Sequence, residues 1–417
     1  MTDTPPFALT RADGLARLTD FAPRAGRAYA ARRNTDFGPG DRSNVSGLSP
    51  YLRRRLITEQ ETVAAALCAH GPRAAEKFIQ EVFWRTYFKG WLEHRPGVWD
   101  AYRAGLDADL AAAAAEPDLD RRYRQALAGE TGIACFDTWV GELAATGMLH
   151  NHTRMWFASI WVFTLRLPWR LGADLFLRQL LDGDPASNTL SWRWVAGLHT
   201  KGKVYVALSA NIARHTDGRF ANTPGLATAP EPLTEDHTPP RKALRVPAAP
   251  DPDRPALWLI TEEDCRAEDL LPGAPAGVAT LQLPVARSPG PVAGHVVEAD
   301  ATALADAAER CGGAARVLVD PAPADLVAAA RDAGAAQIVT SYVPAGWVRD
   351  WLDAAVPALR DAGIGLAEIR RDWDAETWPH ATAGFFKVKK AIPSILRASG
   401  VGADPSDLPL FAAAQSV

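Results

Sequence analysis

The sequence predicts an α plus α/β protein: an all-helical domain at 1–220, a proline-rich linker at 221–254 and a small parallel-sheet α/β domain at 255–400. Three observations carry this. Through the first half apolar residues recur at helical spacing, with no convincing period-two segment. The stretch APEPLTEDHTPPRKALRVPAAPDPDRP then reads as an extended connector, parts of which could lie along a domain surface. Beyond it, short apolar runs alternate with alanine-rich helical stretches, as in a parallel sheet with crossover helices.

The elements follow in order. Between Pro72 and Arg95, the residues Ala75, Phe78, Ile79, Val82, Phe83 and Phe88 recur as one face of a helix. The alanine run at 111–115 closes a helix, and Pro117-Asp118 breaks it. Asp137 is placed to cap a helix that runs to about Gly147, and Pro185 followed by Ala and Ser opens another. The run at 156–165, between Arg154 and Arg166, is the most apolar in the chain. It is about half the ~20 residues that a membrane span needs, so it reads as a buried helix. After the linker, 257–260, 280–283, 317–319 and 337–340 read as strands, with helices at 301–311, 323–333 and 347–362. No G-x-G-x-x-G follows the first of these strands, so a dinucleotide site has no support there.

Composition narrows the class. The 417 residues suffice for two cores, and 47% hydrophobic with 23% charged residues is globular. A net charge of −4 gives no global attraction to nucleic acid, so a DNA partner requires a local basic face. Cys68, Cys135, Cys265 and Cys311 lie far apart with no C-x-x-C. That argues against a metal site or a disulfide scaffold and fits a reducing compartment. The start, MTDTPPFALTRADG, has no apolar signal core. The expectation is a soluble, cytoplasmic protein without a membrane partner.

Chemistry concentrates in a few places. In Val45-Ser46-Gly47-Leu48-Ser49-Pro50, two hydroxyls flank a glycine before a helix, which suits a phosphate or an ordinary N-cap. Glu81 and Arg85 share a helical face and could form an ion pair; Trp84 beside them could floor a pocket or be core. In His150-Asn151-x-x-Arg154-Met155, an inward Arg and Asn among aromatics would be costly without partners. Asp182 and Asp184, otherwise a solvated turn, are natural ones, and an Arg154–Asp182 pair would still leave hydrogen-bonding capacity for a ring edge. Asn188 offers both a donor and an acceptor. Trp192 and Trp194, two apart on a helix, face different directions, so one could touch a cofactor and the other a substrate.

Taken in order, S-G-L-S-P-Y-L (46–52), E-x-x-W-R (81–85), H-N-x-x-R-M (150–155), D-G-D-x-x-x-N (182–188) and W-x-W (192–194) resemble the flavin domain of the photolyase/cryptochrome family. The resemblance covers about residues 26–220. It implies a helical FAD-binding domain of photolyase type, followed here by a Rossmann-like α/β domain. That family normally places its α/β antenna domain first, so the order looks exchanged, and 337–363 weakly resembles the later part of such a domain.

The resemblance also implies roles. Ser46, Gly47, Leu48 and Ser49 match the segment that holds the FAD pyrophosphate. Arg85, Asn151, Arg154, Asp182 and Asp184 match residues around the flavin and ribityl chain, and Asn188 matches the residue facing flavin N5. Repair enzymes often carry Asn there, whereas plant-type sensors carry Asp. Trp84 and Trp194 match the walls that hold a flipped-out pyrimidine dimer, while Glu81, Asn151 and Met155 match positions that contact its bases. Met155 fits enzymes for cyclobutane dimers. Trp192 and Trp169 match the inner members of an electron-transfer chain.

The implied function is blue-light repair of cyclobutane pyrimidine dimers in UV-damaged DNA. The alternative is a cryptochrome-like photoreceptor, and an unrelated flavoprotein chemistry stands behind both.

Four departures stand out. Region 106–130 has no tryptophan for the outer end of the electron chain, where Trp156, Trp161 or a tyrosine could substitute. Met148 replaces a usual tryptophan. His152 and Thr153 stand where a basic residue often meets DNA phosphate. Segment 199–219 differs from the usual DNA-contacting one, though Lys201, Lys203, Arg214 and Arg219 could compensate. The aromatic, basic stretch at 378–390 could dock on the helical half, touch nucleic acid or pack as a terminal helix. An antenna chromophore, strand preference and oligomeric state are not legible.

Overall fold

The structure, a computed structural model, describes residues 7–235 and 237–401. From the N-terminus the helices are α1 (Arg11–Phe21), α2 (Arg27–Arg32), α3 (Ser49–Arg53), α4 (Glu59–Glu93), α5 (Gly97–Ala115), α6 (Pro117–Ala128), α7 (Ala134–Thr146), α8 (Asn151–Ser159), α9 (Trp169–Gln179), α10 (Pro185–Val195) and α11 (Ser209–His215). Next come β1 (Ala256–Thr261), β2 (Gly277–Gln282), α12 (Pro284–Arg287), α13 (Gly294–Arg310), β3 (Ala315–Val319) and α14 (Pro323–Asp332). The chain ends with β4 (Gln337–Ser341), α15 (Trp347–Asp361), β5 (Gly365–Ile369), α16 (Asp372–Thr377) and α17 (Phe386–Ala398). No helix of the described residues is long and apolar enough to cross a membrane.

Local rules place most boundaries. A capping box between Thr58 and Glu61 opens α4, which breaks at Gly71-Pro72 and continues to Glu93. Pro117 starts α6 one residue after α5 ends. Asp184 caps α10 by accepting the Ser187 N–H, with Pro185 at the first helical position. Asp137 works differently from the expected cap. It sits inside the first turn of α7, and its carboxylate accepts the N–H groups of Thr131 and Gly132 in the preceding loop. After α8 the apolar run continues as a π-helical turn, Ile160–Thr164, largely buried.

The chain forms two compact units. Among the described residues, one comprises Ala31–Val45 and Arg95–Pro240, and the other comprises 7–30, Ser46–His94 and 241–401. The first unit is helical. Its core gathers Trp139, Trp156, Phe157, Trp161, Phe176 and Trp192, all buried. Helices α9 and α10 approach closely at Gly172, where any Cβ would collide with the Trp192 and Trp161 rings.

The second unit holds a parallel five-stranded sheet in the order β3-β2-β1-β4-β5. Four strands overlap the runs read from sequence, β2 starting three residues earlier and ending one residue sooner than expected. The fifth, Gly-Leu-Ala-Glu-Ile, carries a carboxylate in its interior, which masks it as a strand. Glu368 is buried there and is paired by Arg245 and Arg349. The proline-rich stretch forms no helix or strand among its described residues, yet it is tied down at both ends. In the first unit Leu233 donates to the Ala196 carbonyl and Arg193 pairs with Glu235; in the second, Lys242 donates to the His94 carbonyl and Glu368 to that of Ala248.

A buried ion network dominates the second unit. Arg53 meets Glu262 and Glu263, Arg54 meets Asp300, and Arg55 meets Asp264 and Asp374. Lys89 joins at Glu263, Arg371 at Asp264 and Arg287 at Asp300. Every one of these side chains is almost wholly out of water. Removing one carboxylate from such a network leaves buried cations undercompensated, at a cost of about 3–5 kcal/mol. Asp300→Ala, which faces both Arg54 and Arg287, is expected to lower the unfolding free energy by that order in urea titration, whereas Asp332→Ala, at an exposed pair with Arg316, changes it by less than about 1 kcal/mol.

Candidate functional site

In the helical unit, three elements bring the predicted residues of α8, the D-G-D turn and α10 together. Arg154 meets Asp182 through a hydrogen bond from Nη1 to Oδ2 at 3.1 Å and an ion-pair contact of Nη2 with Oδ1 at 3.0 Å, while its Nε donates to the Leu149 carbonyl at 3.0 Å. The fork fixes both groups in a partly buried setting. The turn that carries Asp182 is set by Leu181 donating to the Gly147 carbonyl and Gly183 to that of Leu180. Asp184 is held as the α10 cap.

Asn188 is buried, and its amide nitrogen donates to the Ala173 carbonyl at 2.8 Å. That contact turns the amide so that the nitrogen serves α9 and the oxygen is left as acceptor. Two residues apart on the same helix, Trp192 is 2% exposed and Trp194 is 37% exposed. Trp192 meets Phe176 and Trp161 edge to face at 5.1 and 6.2 Å. Trp161 in turn stands 6.1 Å from half-buried Tyr123. Trp169 is buried and lies 5.8 Å from Tyr102, which stacks on Trp99 at 5.2 Å. Trp194 pairs with Tyr205 at 5.6 Å. Met155 is half-buried, and Asn151 is exposed at the start of α8.

Several participants escaped the sequence reading. Thr153, noted as a departure at a phosphate-contacting position, is fully buried and donates to Asp36 at 2.6 Å. Asp36 also accepts from the Gly38 N–H and pairs with Arg219. Burial alone would raise its carboxyl, but the Thr153 and Gly38 hydrogen bonds and the Arg219 charge hold it below the ordinary aspartate value. Arg219 is thereby tied to Asp36 while remaining exposed, as Lys201, Lys203 and Arg214 also are.

Nearby, Arg42 pairs with Glu142 at 2.6 Å, both largely removed from water. Burial lowers the Arg42 guanidinium and pushes the Glu142 carboxyl up to about 7, outweighing their mutual attraction. Burial also pushes the His150 imidazole down to about 4. A neutral ring is what its position needs, since its Nδ1 accepts the His152 N–H as the α8 cap. The Asp36–Thr153, Asp36–Arg219 and Arg42–Glu142 partners lie 100 to 183 residues apart in sequence, so no local motif could have announced them.

In the second unit, Gly47 has φ +63°, a conformation that glycine adopts without strain. It lets the chain turn between Ser46, whose Oγ accepts the Leu48 N–H, and Ser49, which opens α3. Leu48 is buried. Glu81, Trp84 and Arg85 lie on α4, each partly exposed. Trp84 has a partner that sequence spacing does not reveal: Phe385 stacks on it at 4.0 Å with 13° between the rings. The Tyr87 hydroxyl donates to the Ala383 carbonyl at 2.9 Å and fastens the same segment.

The helical unit suits a flavin. A buried polar atom with no protein partner normally signals a missing one. Ser187 Oγ and Trp192 Nε1, on either side of Asn188, are buried and have no hydrogen-bond partner among the described residues. With the Arg154–Asp182 fork and the Asn188 oxygen, they form a donor and acceptor set in an aromatic surround, as a flat, polar-edged ring system requires.

A comparison with known protein families agrees. Residues 78–222 match the family described as the FAD binding domain of DNA photolyase. A deoxyribodipyrimidine photo-lyase of Streptomyces griseus is 36% identical over 157 residues, 37% of this chain and 33% of the relative. One from Thermus thermophilus is 34% identical over 191 residues, 46% of this chain and 43% of the relative. A class III photolyase structure from Agrobacterium tumefaciens is 25% identical with a TM-score of 0.40, over 49% of this chain and 44% of that one. The chain thus spans less than half the length of these relatives. The matched segment begins at Phe78, after the S-G-L-S-P-Y-L motif.

Glu142 generates a pH prediction. Its native carboxyl binds a proton more tightly than an unfolded one, whose pKa is about 4.3. Stability from this group is therefore full below about pH 4 and is lost as pH rises toward 7. His150 contributes the opposite slope between about pH 4 and 6.5, so the test compares a single change in one background. Urea unfolding of Glu142→Gln at pH 5 and pH 7.5 is expected to remove a loss on the order of 2 kcal/mol that the parent shows across that interval.

Proposed function

We propose that the photolyase-type, FAD-binding segment at 78–222 makes this chain a blue-light-driven enzyme that splits cyclobutane pyrimidine dimers in UV-damaged DNA. The observation that carries the reading is the tryptophan pair of α10. One helix presents Trp192 to the interior beside Asn188 and Trp194 to solvent, so a cofactor inside and a ligand arriving from outside can be served by neighbouring residues. The names of the relatives support the reaction class.

FAD, when bound and reduced, supplies the electron that light drives into the dimer. The chain's own residues do the rest. Arg154 and Asp182, locked as a fork, orient the ring edge and the ribityl chain together with Asp184. Asn188, turned by the Ala173 carbonyl, offers an oxygen that cannot ionise to a carboxylate next to the ring. Trp194 stacks on a flipped pyrimidine, and Met155 and Asn151 contact its bases. Trp192 and Trp169, both buried, would be the residues through which electrons reach the cofactor when it is bound. In the other unit, Ser46, Gly47, Leu48, Ser49 and Arg85 carry the cofactor roles of the resemblance, and Glu81 and Trp84 its dimer contacts. Glu81, as the carboxylic acid, would donate a hydrogen bond to the dimer and stabilise the negative charge that develops there.

The photoreceptor reading has two observations in its favour. Phe385 stacks on Trp84, and Thr153, standing where the family often has a basic residue for DNA phosphate, is buried against Asp36. One experiment separates the two. The FAD-loaded, reduced protein is given an oligonucleotide with a single thymine dimer, single- and double-stranded, under blue light and in darkness. Light-dependent splitting is expected; a protein that holds FAD and photoreduces without repair is a sensor. Base–aromatic stacking of ~1–3 kcal/mol sets the size of the companion test. Trp194→Ala is expected to weaken dimer binding about tenfold while flavin absorbance is retained, and unchanged affinity removes Trp194 from the pocket.

A further inference from the structure

With a net charge of −4, any nucleic-acid surface must be local. From Pro379 to Val401 the chain has no acidic residue and carries Lys387, Lys389, Lys390 and Arg397. Helix α17 packs through Val388, Ala391, Ile392, Ile395 and Leu396, all buried. Its other side is the stripe Lys387, Lys390, Ser394 and Arg397, spaced three and four apart and exposed throughout. Lys389 is not part of it, since it pairs with Glu76 of α4.

At the head of the stripe stands Phe386, 59% exposed, with Lys390 Nζ 4.8 Å from its ring centre. The preceding Phe385 is locked on Trp84 by the stack described above, and Trp84 continues to half-buried Phe88 at 5.4 Å. A packed helix has no use for a phenylalanine in water beside two lysines. Burial would be the ordinary fate of that ring, and α17 already has a complete apolar face without it.

We propose that this surface binds a single-stranded stretch of DNA, Phe386 stacking on an unpaired base while Lys387, Lys390 and Arg397 neutralise phosphates. It deepens the reading above, resting on DNA as the partner, and places a contact outside residues 78–222. The chemistry fits an unpaired strand in particular. Bases inside a duplex offer no face to an aromatic side chain, whereas every unstacked base does. Lys387 and Arg397 are ten residues apart, ~15 Å along the helix, a span that several consecutive phosphates cover. The acid-free run supplies the charge complementarity that the chain as a whole lacks.

The test uses the full chain in the dark and a fluorescein-labelled, undamaged oligothymidylate, titrated at several salt concentrations. Phe386→Ala is expected to weaken binding about tenfold. The triple variant Lys387→Gln, Lys390→Gln, Arg397→Gln is expected to reduce the slope of log K against log salt by about 2, since each phosphate contact on a single strand contributes about 0.7. All four residues are exposed, and unchanged thermal unfolding confirms that the variants fold. Equal affinity and equal slope in both variants overturn the proposal. So does a fall in the charge variant with none in Phe386→Ala, which would mark a purely electrostatic surface. Because the probe is undamaged and the assay dark, failure of dimer repair leaves this result standing, and failure here leaves the repair assay standing.

Discussion

Three consecutive arginines decide how the second unit is built. Arg53, Arg54 and Arg55 are buried, and a buried guanidinium is tolerable only when carboxylates meet it with good geometry. The acids come from the loop that leaves β1, Glu262-Glu263-Asp264, and from Asp300 and Asp374 further on. Because these partners are over two hundred residues away in sequence, the contacts form only when the sheet and the segment at 46–94 fold as one body. The S-G-L-S-P-Y-L turn, which ends one residue before Arg53, is thereby anchored to the sheet through backbone continuity. Buried ion pairs add little net stability relative to a packed apolar core. Their effect here is on register, because a shift of one residue along the arginine run would place a guanidinium against apolar surface.

The helical unit relies instead on close aromatic packing. Gly172 lets α9 and α10 touch, and the contact seats Trp192 against Phe176 and Trp161. With that ring fixed, the helical rotation of about 200° over two residues carries Trp194 to the surface. Asn188, one turn earlier on the same helix, is oriented by the α9 backbone. A single helix–helix contact thus sets the amide, the buried ring and the exposed ring together. The contrast in exposure between Trp192 and Trp194 is therefore a consequence of packing.

Much of this was legible from local pattern. The strands at β1 to β4, the α5–α6 break, the Pro185 start and the Arg154–Asp182 pair follow from periodicity, turn chemistry and the cost of a buried charge. What was hidden depends on partners distant in the chain. β5 was obscured by Glu368, which reads as a solvent residue until Arg245 and Arg349 are seen to meet it. The R-R-R run at 53–55 and the E-E-D run at 262–264 match no local motif, although Arg53 meets Glu262 and Glu263 and Arg55 meets Asp264. Trp84 read as a pocket floor or core, and its stack on Phe385 spans 301 positions in the sequence. Asp36, Arg42, Glu142 and Thr153 carry no motif at all; only their burial reveals them.

The sheet itself indicates what its carboxyl edge does. In an open parallel sheet, the crevice outside the strand ends where the order reverses is the usual place for a ligand. With the order β3-β2-β1-β4-β5, that point lies between β1 and β4. Here the residues just past β1, Glu262 and Glu263, are taken by Arg53 and Lys89. Tyr342, just past β4, is taken by Glu93, whose carboxylate also accepts the Ala345 N–H. All three incoming side chains belong to the segment at 46–94. The edge that in other α/β proteins receives a small molecule receives this protein's own helices, so the sheet serves as their support. The same support reaches α4, which carries Glu81, Trp84 and Arg85: beside the Trp84 stack on Phe385, its far end is held by Lys89 and Glu93 at the rim of the sheet.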